Sequence, residues 1–229
     1  VHPDDVELSC SGALMKSIDG GKIIGLLDLT QGELGTRGSG ALRLKEAEVA
    51  RKIIGARFRV NIGLKDGFFV DDEDAQKKII EVIRACQPDI VLLNAIRDRH
   101  PDHGRSAELE KKACFLSGLR KVKTKWNGVE QEAWRPKLTL HYIQDYFMEP
   151  DIVVDITGYW DRKMDSILAY SSQFYNPESD EPESSISSKA FLEVLKGRAQ
   201  NFGRYIDREV GEGFVCERPI GVSELSDLL

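Results

Sequence analysis

Three of the chain's four histidines fall in two short proline-containing motifs, His2-Pro3-Asp4-Asp5 and His100-Pro101-Asp102-His103. Imidazole and carboxylate are the donors a catalytic zinc takes: it needs three such protein ligands plus an open position, where it lowers the pKa of water from 15.7 to about 7. Two histidines and a carboxylate drawn from two loops meet that need. In the first motif the adjacent Asp4 and Asp5 cannot easily point the same way, so one can ligate while its neighbour faces the water. Proline fixes φ in both turns and stiffens them. Each motif alone also has a plainer reading as a turn whose Asp caps the next helix, and for Asp5 before Val6 that reading stays open. The pairing of two such motifs, holding three of four histidines, favours a metal centre. The donor types suit ferrous iron as well as zinc.

The elements around the motifs must bring them together. Val6, Cys10, Ala13, Leu14 and Ile18 recur at helical spacing, predicting an amphipathic helix over 5–19 closed by Gly20-Gly21. A strand follows at 22–30, then a helix over 41–54, a strand near 58–62 and a helix over 72–86 with the stripe Ala75, Ile79, Val82, Ile83, Cys86. Pro88-Asp89 opens a strand at 90–93, and the second motif leads into a helix starting near Gly104. This alternation predicts an α/β fold, a Rossmann-like three-layer α/β/α arrangement with a mostly parallel sheet. Both motifs then sit where strands hand over to helices, the place where ligands collect in open α/β sheets. Residues before Val1 are expected to supply the strand that delivers His2.

Beyond residue 120, strands are predicted at 138–143 and 151–156, and helices around Trp160 to Leu168 and Phe191 to Phe202. These make a C-terminal α/β extension (about 121–229) packed on the core (about 1–120) as one domain. The run 176–188 is acidic and rich in Pro and Ser and reads as an exposed, mobile loop. Gly35-Thr36-Arg37-Gly38-Ser39-Gly40 lacks dinucleotide-binding spacing and reads as a mobile substrate loop. His141 reads as a structural residue.

Over 229 residues, 32 Lys and Arg stand against 38 Asp and Glu, a net charge of −6. That balance gives no long-range pull on phosphate backbones or anionic lipid, so neither nucleic acid nor membrane is expected as a partner. Cys10, Cys86, Cys114 and Cys216 form no C-x-x-C pair and read as reduced thiols of a cytoplasmic protein. No apolar run nears the roughly 20 residues of a membrane helix.

His2-Pro3-Asp4-Asp5-Val6-Glu7 together with His100-Pro101-Asp102-His103 resembles the signature pair of the LmbE-like (PIG-L) zinc-dependent deacetylases, which remove acetyl groups from N-acetylglucosaminyl conjugates. The segment from Leu29 to Gly38 is similar to that family's second βα loop. Ser172-Gln173-Phe174-Tyr175, the acidic loop and Glu212-Gly213-Phe214 resemble its bacillithiol-biosynthesis branch. The resemblance implies one Zn2+ per chain, with Fe2+ as the alternative, on His2, Asp5 and His103. It implies Asp4 as general base and His100, oriented by Asp102, as a cation that stabilises the tetrahedral intermediate and protonates the amine. It further implies substrate contacts at Arg43, Arg135, Asp66, Glu33 and Arg37, and a homo-oligomer. A tyrosine that some relatives carry beside the metal aligns with Phe191 here.

The substrate expected from the resemblance is N-acetylglucosaminyl malate. The alternatives are an amidase acting on thiol conjugates of the same sugar and, from another class, a non-catalytic Rossmann-like nucleotide-binding module whose two motifs serve only as helix starts.

Overall fold

In the computed structural model, which describes residues 1–228, the first motif runs into α1 (Asp5–Ser9) and α2 (Ser11–Asp19), followed by β1 (Gly25–Thr30), α3 (Gly40–Ile54) and β2 (Phe58–Leu64). Then come α4 (Glu73–Cys86), β3 (Ile90–Leu93) and α5 (Pro101–Ser117). The second half holds β4 (Lys125–Trp126), β5 (Val129–Glu130), β6 (Leu138–Tyr142), β7 (Ile152–Asp155), α6 (Trp160–Leu168), α7 (Lys189–Arg204) and β8 (Gly211–Cys216).

Alternation along the strands shows how the layers form, because successive side chains leave opposite faces. Leu27 and Leu29 of β1 and Val91 and Leu93 of β3 join Ile79, Ile80, Ile83 and Leu109 of α4 and α5. Leu26 turns the other way, onto Met15 and Ile54, and Leu92 turns toward Cys10, Ala13 and Phe214. Helices therefore cover both faces, as expected of a mixed α/β fold.

The mostly parallel sheet is corrected. β1 pairs with β2, and β3 with β6, in parallel, but β8 enters between β6 and β7 and runs antiparallel to both. That arrangement ties the C-terminal strands to β3 in one four-stranded sheet. Val1 lies between the two sheets: its carbonyl accepts from Leu29 N–H and Thr30 N–H at 3.1 and 3.0 Å.

The single helix predicted over 5–19 is broken at Cys10, whose φ of −143° leaves the helical range. The break has a physical partner. Gly12 N–H and Ala13 N–H, freed at the new helix start, donate to the buried Glu212 carboxylate at 3.0 and 2.7 Å, and Lys163 balances that charge at 2.6 Å. α1 is anchored separately: Arg59 grips Asp28 of β1 with two bonds of 2.6 and 2.7 Å and reaches Glu7 at 2.6 Å. Among the described residues no helix is long and apolar enough to cross a membrane.

Candidate metal centre

The carboxyl ends of β1, β2, β3 and β6 deliver the side chains that meet here, which is the crevice where α/β sheets hold ligands. α5 begins three residues earlier than predicted, with Pro101 in its first turn and His100 as its N-cap. The second motif is thus the helix start itself, and His103 is held on the first turn. In the first motif, Asp4 occupies the N-cap position of α1 with φ of 129° and no capping bond. A non-glycine residue in that region is strained, and such strain persists only where surrounding contacts enforce it. Asp5 does not cap α1 either: its Oδ2 accepts from His2 N–H at 2.9 Å.

Asp5 stands between two histidines. Its Oδ1 lies 3.3 Å from His103 Nε2 and its Oδ2 3.7 Å from His2 Nδ1. Donors at about 2.0–2.2 Å around a tetrahedral ion are separated by roughly 3.3–3.6 Å, a spacing that the His103 contact meets and that the His2 contact, made to the other Asp5 oxygen, slightly exceeds; the donor types are those a zinc-like ion takes. Among the described residues, the sets whose donor atoms all lie within 4.8 Å of one another are His2, His100 and His103, and His2, Asp66 and Asp102, so the two histidines share one set while Asp5 borders both of them from outside it. His2, Asp5 and His103 are all buried.

Asp5 is also held by two residues that sequence reasoning missed. Gln144 Nε2 donates to its Oδ1 at 2.7 Å and Asn94 Nδ2 to its Oδ2 at 3.2 Å. A third, Asp98, has its Oδ2 2.9 Å from His103 Nδ1. Each lies in the segment that follows β3 or β6. Position at a strand's carboxyl end is the signal that could have found them.

Electrostatics divide the two adjacent carboxylates. Burial lifts the Asp4 carboxyl to about 6 although the Arg43 guanidinium draws it down. Asp5 is equally buried, yet His103 and its other cationic neighbours hold it well below the usual carboxylate range. Burial works against charge on His103, and Asp5 and Asp98 outweigh it, raising the ring to about 9. His100 is lowered by burial and by the neighbouring histidines.

Several expected contacts change on this geometry. Asp102 does not orient His100 through its carboxylate: its backbone N–H donates to His100 Nδ1 at 3.2 Å, while its Oδ2 accepts from Gly67 N–H at 2.8 Å and its Oδ1 pairs with Arg105 at 3.2 Å. Asp66, expected on sugar hydroxyls, has both oxygens engaged, by His2 Nε2 at 2.9 Å and Leu34 N–H at 3.0 Å. Glu33 accepts from Asp66 N–H at 2.9 Å and braces the same loop. Arg37 is buried and donates to Phe174 O and Ser179 Oγ. With Glu181 accepting from Gly38 N–H at 3.1 Å, it latches the loop after β1 to the acidic loop, two segments expected to be mobile. Arg135 is far from both motifs: it stacks over Phe115 and donates to that residue's carbonyl, about 18 Å along α5 from His103 at 1.5 Å per residue.

Arg43 is at the site and braces it. Its Nη2 donates to Asp4 Oδ2 at 2.6 Å and to Pro3 O at 3.1 Å, and its Nη1 to Gly32 O at 3.1 Å. Gly32, at φ of 62°, leaves room for this: a Cβ there would lie 2.1 Å from Arg43 Nη1. Phe191 stacks on Phe174 in an apolar cluster with Tyr170 and Leu195. His141 bridges Asn94 O at 2.6 Å and Glu217 Oε1 at 2.8 Å, a structural place as expected.

Comparison with known proteins gives the same direction. The family model described as PIG-L, GlcNAc-PI de-N-acetylase, matches residues 1–114. Diacetylchitobiose deacetylase of Thermococcus kodakarensis is 26% identical over 184 residues, 76% of this chain and 67% of that protein. The conserved protein TT1542 of Thermus thermophilus is 32% identical, with 98% of this chain and 94% of that chain covered and a TM-score of 0.85. GalB, the 4-carboxy-2-hydroxymuconate hydratase of Pseudomonas putida, superposes at a TM-score of 0.78 with 18% identity over 98% of this chain and 96% of that chain. The last shares the fold alone, and fold by itself does not fix the reaction.

Proposed function

The chain belongs to the PIG-L family, and from that premise we propose that it is a metal-dependent N-deacetylase that hydrolyses the acetamide of an N-acetylglucosaminyl conjugate to acetate and the free amine. The observation that carries this reading is the meeting of His2, Asp5 and His103 with Asp4 buried beside them.

His2, Asp5 and His103 would hold the ion. Bound there, a zinc-like ion would supply Lewis acidity to the acetamide carbonyl and to the attacking water. Arg43 occupies Asp4 Oδ2, which leaves Oδ1 to take the proton of the water as it attacks. His100 would hand a proton to the departing nitrogen as the imidazolium, the cation expected from sequence, because a neutral imidazole could give one only by becoming an imidazolate. Amide cleavage needs that proton because an amine anion is a poor leaving group. Burial and the neighbouring histidines lower the ring's pKa, which makes the charged ring a readier donor.

The finer substrate proposed is N-acetylglucosaminyl malate, supported by the resemblance to the bacillithiol branch. Its carboxylates would not meet Arg37, Arg43 or Arg135, which are engaged elsewhere. Arg97, exposed in the turn before Asp98 and lying over Tyr146, is the guanidinium proposed for them.

The test is free-amine release from N-acetylglucosaminyl malate, N-acetylglucosamine, diacetylchitobiose and an S-conjugate, with Asp4→Ala alongside. The expected result is turnover of the malate conjugate above the others, and an Asp4→Ala protein that keeps its metal but loses turnover. Near-normal turnover in Asp4→Ala removes Asp4 from its role.

A further inference from the structure

The proposed ligands raise a question that the reaction leaves open: an imidazole has two ring nitrogens, and only one can face the ion. His103 has Nε2 toward Asp5 and Nδ1 toward Asp98, while His2 has Nδ1 toward Asp5 and Nε2 toward Asp66. The two rings use opposite atoms, yet each directs its outward nitrogen at a carboxylate oxygen 2.9 Å away. An ionised carboxylate only accepts, so the nitrogen facing Asp66 or Asp98 keeps its proton when an ion binds, and the nitrogen left to ligate is the other one of each ring. Those two ligating atoms are the ones that face Asp5.

Neither carboxylate is loosely placed. The Asp98 side chain is fully buried, and its Oδ2 also accepts from Asp145 N–H at 3.2 Å, in the segment that follows β6. Asp66 takes Leu34 N–H at 3.0 Å, from the loop after β1. Asp102 Oδ2 lies 3.7 Å from His2 Nε2, beyond hydrogen-bond reach, so Asp66 is the partner of that nitrogen.

We propose that Asp66 and Asp98 are positioning residues of the metal centre: each takes the outward ring N–H of one histidine, fixing its tautomer and its rotation about χ2. This inference rests on His2, Asp5 and His103 being the ligands. It also ties each ligand to a loop, His2 to the segment after β1 through Leu34, and His103 to the segment after β6 through Asp145. Outer carboxylates of this kind also raise the basicity of the ligating nitrogen.

The experiment strips the protein of metal and titrates Zn2+ against a chromophoric chelator in wild type, Asp66→Asn, Asp66→Ala, Asp98→Asn and Asp98→Ala, with His103→Ala as the ligand-loss control. Visible spectra of the Co2+-loaded proteins report ligand geometry independently of activity. The alanine variants are expected to bind Zn2+ ten to a hundredfold more weakly and to shift the Co2+ bands. The asparagines, which keep an acceptor oxygen but lose the charge, are expected to fall between. A purely structural role would lower the melting temperature while leaving Zn2+ affinity and Co2+ bands as in wild type, and that result overturns the proposal. Should an alanine variant fail to fold, its asparagine counterpart decides in the same way. A wild type that binds no Zn2+ sinks the ligand assignment itself, a failure distinct from equal binding by wild type and variants.

Discussion

Arg43 and Asp4 form the closest charged contact at the centre: Nη2 lies 2.6 Å from Oδ2, both side chains are buried, and Asp4 holds a backbone φ of 129°. The same guanidinium bonds the carbonyls of Pro3 and Gly32, so one side chain fastens the first motif to the loop after β1. Arg43→Ala strands a buried carboxylate and is expected to cost about 3–5 kcal/mol in urea unfolding. It is also expected to lower turnover on the order of a hundredfold through misplacement of Asp4. Arg43→Lys, a single point donor, should recover part of the stability and little of the turnover. Wild-type turnover in Arg43→Ala would remove its bracing role.

Glu212 is the hidden partner of the break at Cys10. Glu212→Ala leaves Lys163 buried without its carboxylate and two N–H groups of α2 unmet, so a loss of about 3–5 kcal/mol is expected by chemical denaturation. The pair Glu212→Gln with Lys163→Met keeps an acceptor and removes both charges. It is expected to regain at least half of that loss, and a single-variant cost under about 1 kcal/mol would contradict the account.

The thiols divide by burial. Burial pushes Cys114 up to about 12 and raises Cys10 well above the ordinary thiol range, whereas Cys86 is exposed and Cys216 half-buried. An aromatic disulfide reagent at pH 8 should modify Cys86 and Cys216 in native protein, and Cys10 and Cys114 only after denaturation. Rapid native labelling of Cys114 would show the α4 and α5 core open.

Glu217 gives the pH test. Burial opposes its charge, but hydrogen bonds with Lys111 and His141 outweigh burial and hold its carboxyl below the usual value. A depressed folded pKa means the stabilisation is present above the unfolded value, about 4.3, and is lost as pH falls through the folded one. Glu217→Gln should therefore melt below wild type at pH 7, with the gap closing below about pH 4. A gap that stays constant down to pH 3 would contradict this.

The local elements were legible where their causes are local. Pro88-Asp89 and four apolar residues mark β3, and the stripe from Ala75 to Cys86 marks α4 with Asp72 as its cap. The break at Cys10 was not legible, because the group that stabilises it lies 200 positions away. β8 was missed as a strand because GEGFVC has no alternation; its Gly213 instead admits the Phe202 ring, 3.0 Å from where a Cβ would stand. The two histidine motifs were legible as one site because residue type and strand-end position coincide there. Arg37 and Arg135 were misjudged for a different reason. A guanidinium's partner is set by tertiary contacts, here Phe174 O and Phe115 O, that spacing does not encode.

The central claim is most directly met by measuring acetate released from N-acetylglucosaminyl conjugates by the protein as purified, after removal of metal with a chelator, and after Zn2+ is restored. Release that disappears with the metal and returns with it is the predicted result. Release that is unchanged in the chelated protein, or absent from folded protein carrying about one Zn2+ per chain, would contradict the account.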